Sequence, residues 1–106
     1  MNAKIQAIVD ELHQRLEGLY GPRLVKIVLF GSQARGDAEP GSDIDVLVVL
    51  NGPVNPGEEI SRTGDVVAEL CLAHGVVISC VFMDRERFLH RQGPLLRNIR
   101  REGVPV

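Results

Sequence analysis

The sequence predicts an α/β (α+β) fold, a small mixed β-sheet of three to four strands with helices packed on it. Apolar residues recur every three or four positions in two long segments, as in helices with one buried face. Three shorter apolar runs, rich in β-branched residues, have the length of buried strands, and Gly and Pro residues interrupt the chain between segments. The predicted helices cover residues 2–20 and 58–74, and the predicted strands cover about 24–30, 44–50 and 76–83.

The size and composition of the chain suit a single domain over residues 1–106. Hydrophobic residues make up 44% of the chain and charged residues 25%, which is ordinary for a globular protein with one modest core. The sequence has no apolar run long enough to cross a bilayer and no signal-peptide pattern. Its two cysteines, Cys71 and Cys80, lack the spacing of a metal site, so we expect buried free thiols and a cytoplasmic protein.

Each predicted helix has an apolar face that we expect to lie in the core. In the first helix, which Gly21-Pro22 ends, this face consists of Ile5, Ile8, Leu12, Leu16 and Leu19. In the second helix it consists of Ile60, Val67, Leu70 and Cys71, with Gly75 as the C-cap. Two further short helices are expected over residues 85–91 and 95–102, separated by Gly93-Pro94.

The most informative local pattern connects the first two predicted strands. Gly31-Ser32 ends the first strand, and Asp43-Ile44-Asp45 opens the second. If these strands pair antiparallel, the two ends adjoin and Ser32 lies close to both carboxylates, whereas a parallel pairing would separate them. Residues two apart in a strand point to the same face, so we expect Asp43 and Asp45 to project together.

This pattern favours a phosphate-and-metal site. Two adjacent carboxylates repel each other unless a cation lies between them, and Mg²⁺ commonly takes one or two carboxylates together with substrate phosphates. Gly31 permits close approach of a phosphate, Ser32 can donate its hydroxyl, and residues 32–35 are expected to open a short helical turn. A lone Asp-x-Asp or Gly-Ser pair is usually only a turn or a cap, but their combination is much more specific.

Positively charged residues add a second, less specific signal. Arg35 lies within the motif, where it either stabilises phosphate charge or pins the loop to a neighbouring carboxylate. The C-terminal stretch contains Arg85, Arg87, Arg91, Arg97, Arg100 and Arg101. These arginines form either a solvated helical face or a surface for an acidic partner, a nucleic-acid strand or the triphosphate. A net charge of −2 and only four aromatic residues argue against nucleic acid as the partner.

The motif residues resemble the signature of the DNA polymerase β-type nucleotidyltransferase superfamily, and the short chain is similar to its minimal nucleotidyltransferase (MNT) branch. The matching residues are Gly31-Ser32-x-Ala34-Arg35-Gly36 and Ser42-Asp43-x-Asp45, with a weaker likeness in the closing Arg101-Glu102-Gly103-Val104-Pro105. The resemblance implies a polymerase-β-like fold and transfer of a nucleoside monophosphate from a nucleoside triphosphate. It implies that Gly31 and Ser32 hold the triphosphate, and that Asp43 and Asp45 are catalytic ligands of two Mg²⁺ ions.

The chain departs from this family pattern at one position. Catalytically complete members usually carry a third acidic residue on a later strand, and the residue that we align with it is Ser79. Asp84 follows on the same strand, but its side chain alternates with that of Ser79, so we expect it to be a helix N-cap. Nucleotide and metal binding are therefore better supported by the sequence than turnover is.

The resemblance also implies a partner. MNT proteins are commonly paired with a helical HEPN-type protein and act as antitoxins that transfer AMP from ATP to a tyrosine of the partner. Because this chain has no additional domain to present an acceptor, we expect the acceptor surface to come from such a partner or from a second copy of the chain. The alternative is a catalytically impaired nucleotide-binding module that neutralises or regulates its partner by binding alone.

Overall fold

The computed structural model describes residues 2–106, which form an α/β unit with one mixed four-stranded sheet. The helices are α1 (Ala3–Tyr20), α2 (Ser32–Arg35), α3 (Pro56–His74), α4 (Arg85–His90) and α5 (Pro94–Glu102). The strands are β1 (Leu24–Phe30), β2 (Ile44–Leu50), β3 (Ile78–Asp84) and β4 (Val104–Pro105). A short 3₁₀ turn over Gly21–Arg23 separates α1 from β1.

The strand order is β3-β2-β1-β4, and the pairing is mixed. β1 pairs antiparallel with β2 and with β4, whereas β2 pairs parallel with β3. Of the two pairings that the sequence leaves open for the first two strands, the structure has the antiparallel one, which brings the end of β1 beside the start of β2.

Side chains from the two faces of the sheet form two apolar clusters. On one face, α1 and α3 pack against alternate residues of the strands, and the centre of this cluster includes Leu12, Leu16, Leu29, Val46, Val48 and Leu70. On the other face, α5 contributes Leu96 and Ile99, which pack with Val28, Leu47 and Val49. The side chain of Asp45 lies on this second face because it shares the alternation of Leu47 and Val49.

The predicted elements agree with the structure except near their ends. β1 and β2 have the predicted bounds, but β3 begins at Ile78 rather than near residue 76. α3 begins two residues earlier than predicted, because Pro56 occupies its first turn and the Asn55 side chain accepts a hydrogen bond from the Glu58 backbone N–H. The short strand β4 pairs with β1 and is the fourth strand of the sheet, within the predicted range of three to four.

The prediction that Leu19 and Ile60 lie in the core is wrong. Leu19 is 43% exposed and Ile60 is 57% exposed. Their neighbours Tyr20 and Glu59 are buried instead, and the Tyr20 hydroxyl donates a 2.8 Å hydrogen bond to Glu59 Oε1. A buried polar pair replaces the expected apolar contact at this end of α1 and α3, which apolar periodicity alone does not reveal.

Cys71 and Cys80 are free thiols, as expected, and both are half-buried. Burial raises the pKa of the Cys80 thiol to about 12, so this side chain is uncharged at neutral pH. None of the helices in residues 2–106 combines the length and the apolar character that a membrane span requires.

Candidate active site between the first two strands

Gly31 forms the turn that follows β1, and its backbone lies against the carboxylate of Asp45. Its φ of +74° belongs to a region that L side chains rarely adopt. A Cβ atom at this position would lie 2.5 Å from Asp45 Oδ2. Both the backbone conformation and the close contact therefore require glycine here.

The residues after Gly31 form the short helical turn α2, as predicted. The N–H groups of Ala34 and Arg35 both donate 3.1 Å hydrogen bonds to the Gly31 carbonyl, and Gly36 ends the turn in the left-handed conformation. The loop that follows is tied back to this turn, because Gln33 Nε2 donates to the Ser42 carbonyl at 3.3 Å. The Gly31 turn and the start of β2 are thus held together at one end of the sheet.

The strand register places Phe30, Asp45 and Ser79 in one row across the sheet. Asp45 pairs with Phe30 of β1 on one side and with Ser79 of β3 on the other. Asp45 is half-buried and Asp43 is exposed. Burial, followed by the negative charge of Asp43, raises the pKa of the Asp45 carboxyl, and the charge of Arg35 opposes this rise.

The carboxylate oxygens of Asp43 and Asp45 are suitable ligands for a divalent cation. A bound cation would relieve both the repulsion between the two carboxylates and the cost of burying Asp45. Within residues 2–106 there is no cluster of three or more His, Cys, Asp or Glu side chains that could hold a metal ion. Two carboxylates are nevertheless a typical protein contribution to Mg²⁺, which keeps waters and takes phosphate oxygens as its other ligands.

Arg35 is engaged by two carboxylates. Its Nε donates to Asp37 Oδ2 and its Nη1 donates to Glu102 Oε2, both at 3.1 Å. The hydrogen bond that Arg35 donates to Asp37, followed by the one that it donates to Glu102, raises the pKa of the guanidinium above its usual value. Of the two roles predicted for Arg35, stabilising phosphate charge or pinning the loop to a neighbouring carboxylate, the structure shows contacts of the second kind.

Glu102 contacts the motif through Arg35, and the sequence alone does not predict this contact. It lies at the end of α5, and 67 positions separate it from Arg35 along the chain. The only sequence signal was its place in the closing Arg101-Glu102-Gly103 segment, which carried the weaker part of the family likeness but no role.

The structure separates Ser79 from Asp84. Ser79 is exposed, lies on the same face as Asp45, and occupies the neighbouring position on β3. Asp84 lies opposite Leu50 at the other end of the sheet. Its Oδ1 accepts a 2.8 Å hydrogen bond from the Arg87 N–H, which confirms the predicted N-cap of α4.

The mixed sheet carries the Gly-Ser helical turn and the Asp-x-Asp pair of the motif at one end. The sequence matches the family model described as "Nucleotidyltransferase domain" over residues 6–102, so the chain belongs to this family. The nucleotidyltransferase resemblance is confirmed at the level of this family, and the mixed α/β fold that it implies is confirmed as well.

Two curated relatives are similar to this chain over most of its length. The chain is 38% identical over 96 residues to "Putative protein adenylyltransferase MJ0604" of Methanocaldococcus jannaschii, covering 90% of each protein. It spans 64% of the length of a second relative from that organism, MJ1305, to which it is 35% identical over 94 residues.

Two solved structures have the same fold at lower identity. One, described as a "putative minimal nucleotidyltransferase", superposes with a TM-score of 0.63 at 24% identity, covering 100% of this chain and 97% of that one. The other is an MNT antitoxin in complex with a tri-AMPylated HEPN toxin from Shewanella oneidensis, with a TM-score of 0.61 at 18% identity. That match covers 94% of this chain and 69% of the neighbour.

Proposed function

We propose that this protein transfers AMP from Mg²⁺-bound ATP to a hydroxyl group of a protein partner. The observation that carries the proposal is the contact of the Asp45 carboxylate with the Gly31 turn, because it sets a carboxylate pair beside a backbone turn that a phosphate can approach. Curated relatives named as protein adenylyltransferases support the class of reaction.

In this reaction the acceptor oxygen forms a bond to the α-phosphorus, the bond from that phosphorus to the β-phosphate oxygen breaks, and pyrophosphate leaves. Asp43 and Asp45 would hold the metal, and Gly31 and Ser32 would hold the triphosphate. When bound, Mg²⁺ supplies positive charge for the attacking and leaving oxygens of the in-line displacement.

We expect Ser79 to limit the rate of this transfer reaction. A hydroxyl at this position binds Mg²⁺ less well than a carboxylate and does not take up the proton that the acceptor hydroxyl loses. The proton therefore passes to solvent or to a base of the partner, and we expect slow turnover from the natural chain.

The acceptor side chain belongs to another protein. Tyr20 is the single tyrosine of the chain, it is 8% exposed, and its hydroxyl donates to Glu59. It lies beside the start of β1, whereas the site lies beyond the end of that seven-residue strand, about 20 Å away. A second copy of the chain offers the same buried hydroxyl, so a tyrosine acceptor requires a different partner.

The partner that we propose is a helical HEPN-type protein, and the neighbouring structure of an MNT antitoxin with a tri-AMPylated HEPN toxin supports this choice. In this proposal the chain is the antitoxin of a toxin–antitoxin pair. It contributes the nucleotide site, and the partner contributes the acceptor.

The test uses ATP labelled at the α-phosphate, Mg²⁺ and a lysate of the source organism, with mass spectrometry of any labelled protein. We expect one labelled band with the wild type and none with the Asp43→Asn/Asp45→Asn variant. Transfer by a variant that lacks both carboxylates would overturn the proposed site.

Ser79 favours a second candidate, a nucleotide-binding module that neutralises its partner without modifying it. The two candidates are separated by Ser79→Asp, with Ser79→Asn as the control that changes the side chain without adding a carboxylate. Metal-dependent ATP binding without labelling by the wild type, together with labelling by Ser79→Asp alone, would establish the binding module.

A further inference from the structure

The Arg35 guanidinium is held from two sides by carboxylates of different elements. Asp37 belongs to the same loop as Arg35 and bonds Nε, whereas Glu102 belongs to α5 and bonds Nη1. Glu102 also lies 3.8 Å from Arg101 Nη2 through its other oxygen, Oε1. The ion pair of Arg35 and Glu102 is a polar side-chain link between α5 and the Gly31–Gly36 motif.

This arrangement leaves part of the guanidinium available to a ligand. Arginine has five N–H donors, and in residues 2–106 the hydrogen bonds of Arg35 use only Nε and Nη1. Nη2 has no protein acceptor in the part of the chain that the structure describes. Arg35 is also the last residue of α2, its backbone N–H donates to the Gly31 carbonyl, and Gly31 lies against the Asp45 carboxylate, so Arg35 lies at the same end of the sheet as the carboxylate pair.

We propose that Glu102 is a positioning residue for nucleotide binding. It holds the Arg35 guanidinium beside the Asp43/Asp45 pair, so that Nη2 can donate to a phosphate oxygen of the bound nucleotide. The proposal rests on the proposed function, because it takes the anion at the Gly31–Ser32 turn to be the triphosphate. It assigns a role in this site to α5, the helix that otherwise covers the second apolar cluster.

A purely structural role does not explain this ion pair. The Arg35 and Glu102 side chains are 42% and 24% exposed, and exposed ion pairs contribute little to folding stability. α5 is already anchored by Leu96 and Ile99, and the chain after it is paired with β1. Loss of the carboxylate should therefore leave the fold intact and change only where the guanidinium lies.

The test is a double-mutant cycle on Arg35→Gln and Glu102→Gln, read out as the dissociation constant for the ATP analogue AMP-PNP in the presence of Mg²⁺. A charge-assisted hydrogen bond to phosphate corresponds to a change of about tenfold. We expect Arg35→Gln to weaken binding about tenfold and Glu102→Gln to weaken it by a smaller factor. If Glu102 acts through Arg35, the double variant binds like Arg35→Gln alone.

Glu69→Gln is the matched control, because Glu69 forms a 2.7 Å ion pair with Arg15 between α1 and α3. We expect it to bind the nucleotide like the wild type, and Glu102→Asp to bind more tightly than Glu102→Gln. In a transfer assay, the Glu102 variants should raise the KM for ATP more than they lower kcat. Wild-type affinity in Glu102→Gln, or independent losses in the double variant, would overturn the proposal.

This experiment separates the two proposals. Nucleotide binding that follows the expected cycle without any transfer by the wild type would support the role of Glu102 and overturn the transferase activity. If the wild type transfers AMP but the variants bind the nucleotide as tightly as the wild type, the transferase activity would be supported and the role of Glu102 would be overturned.

Discussion

At the scale of single residues, Gly31 and Asp45 determine the geometry of the site together. The glycine allows the turn to lie against the carboxylate, and the carboxylate faces the turn because of the antiparallel register of β1 and β2. These residues and the limits of their strands could be predicted from the sequence, which left the antiparallel and the parallel pairing open. The contact between them could not be predicted, because residue spacing does not specify the backbone dihedral angles of the turn at Gly31.

Gly31→Ala tests this contact, with Gly36→Ala as its control. Both glycines have positive φ, at +74° and +81°, but a Cβ atom at Gly36 meets nothing within 4 Å. We expect Gly36→Ala to lower the free energy of unfolding by about 1 kcal/mol through backbone strain, and Gly31→Ala to lower it by about 2–3 kcal/mol. Urea unfolding measures both. Equal losses would show that the contact with Asp45 costs nothing to disturb.

The same pair of variants separates strain from function. Gly31→Ala should lose nucleotide binding at a temperature where it remains folded, and Gly36→Ala should retain it, because only the first substitution displaces the Asp45 carboxylate.

At the scale of elements, strands with strong local signals were predicted well and elements defined by long-range contacts were not. β1 and β2 are apolar, rich in β-branched residues and bounded by polar or glycine positions, so their limits follow from the sequence. β4 has two residues and exists only because it pairs with β1. The link between Arg35 and Glu102 likewise depends on how α5 packs, which the local sequence pattern does not specify.

The ends of α1 and α3 are joined by a polar cluster around the buried Glu59. Its carboxylate accepts hydrogen bonds from Tyr20 and from Arg62 Nε, and Arg23 lies 3.7 Å away. Burial alone would raise the pKa of Glu59, but these hydrogen bonds and positive charges outweigh it and hold the pKa below its usual range.

This cluster predicts a pH-dependent contribution to stability. Because the folded-state pKa of Glu59 is lower than its unfolded value, the stabilisation is present above the unfolded value, near pH 4.5, and is lost as the pH falls through the folded one. We expect Glu59→Gln to lower the free energy of unfolding by about 2 kcal/mol at pH 7. The difference from the wild type should shrink below pH 4.5, as urea titrations at several pH values will measure. A difference that grows on acidification would contradict this assignment.

At the scale of the whole molecule, the two apolar clusters share one sheet. β1 and β2 contribute residues to both, so neither cluster can be lost without exposing the other side of the same strands. We therefore predict a single cooperative unfolding transition, consistent with one domain over residues 1–106.

The chain offers convenient probes for this prediction. Tyr20 is the only tyrosine and there is no tryptophan, so its fluorescence reports on one end of the sheet, while far-UV circular dichroism reports on all elements. The two midpoints in urea should coincide. Separate midpoints would show that the α1–α3 face and the α5 face unfold independently.

The strand order has a consequence for handling the protein. β3 lies at the edge of the sheet, and its residues from Ile78 to Met83, before the terminal Asp84, include no charged residue and no proline. Uncharged edge strands promote pairing between molecules, and a charged side chain on such a strand suppresses aggregation. Ser79→Asp therefore improves colloidal behaviour as well as adding a carboxylate. Ser79→Lys gives the edge strand a charge without a metal ligand. A rise in activity that Ser79→Asp shares with Ser79→Lys comes from reduced aggregation, whereas a rise seen only in Ser79→Asp comes from faster catalysis by each molecule.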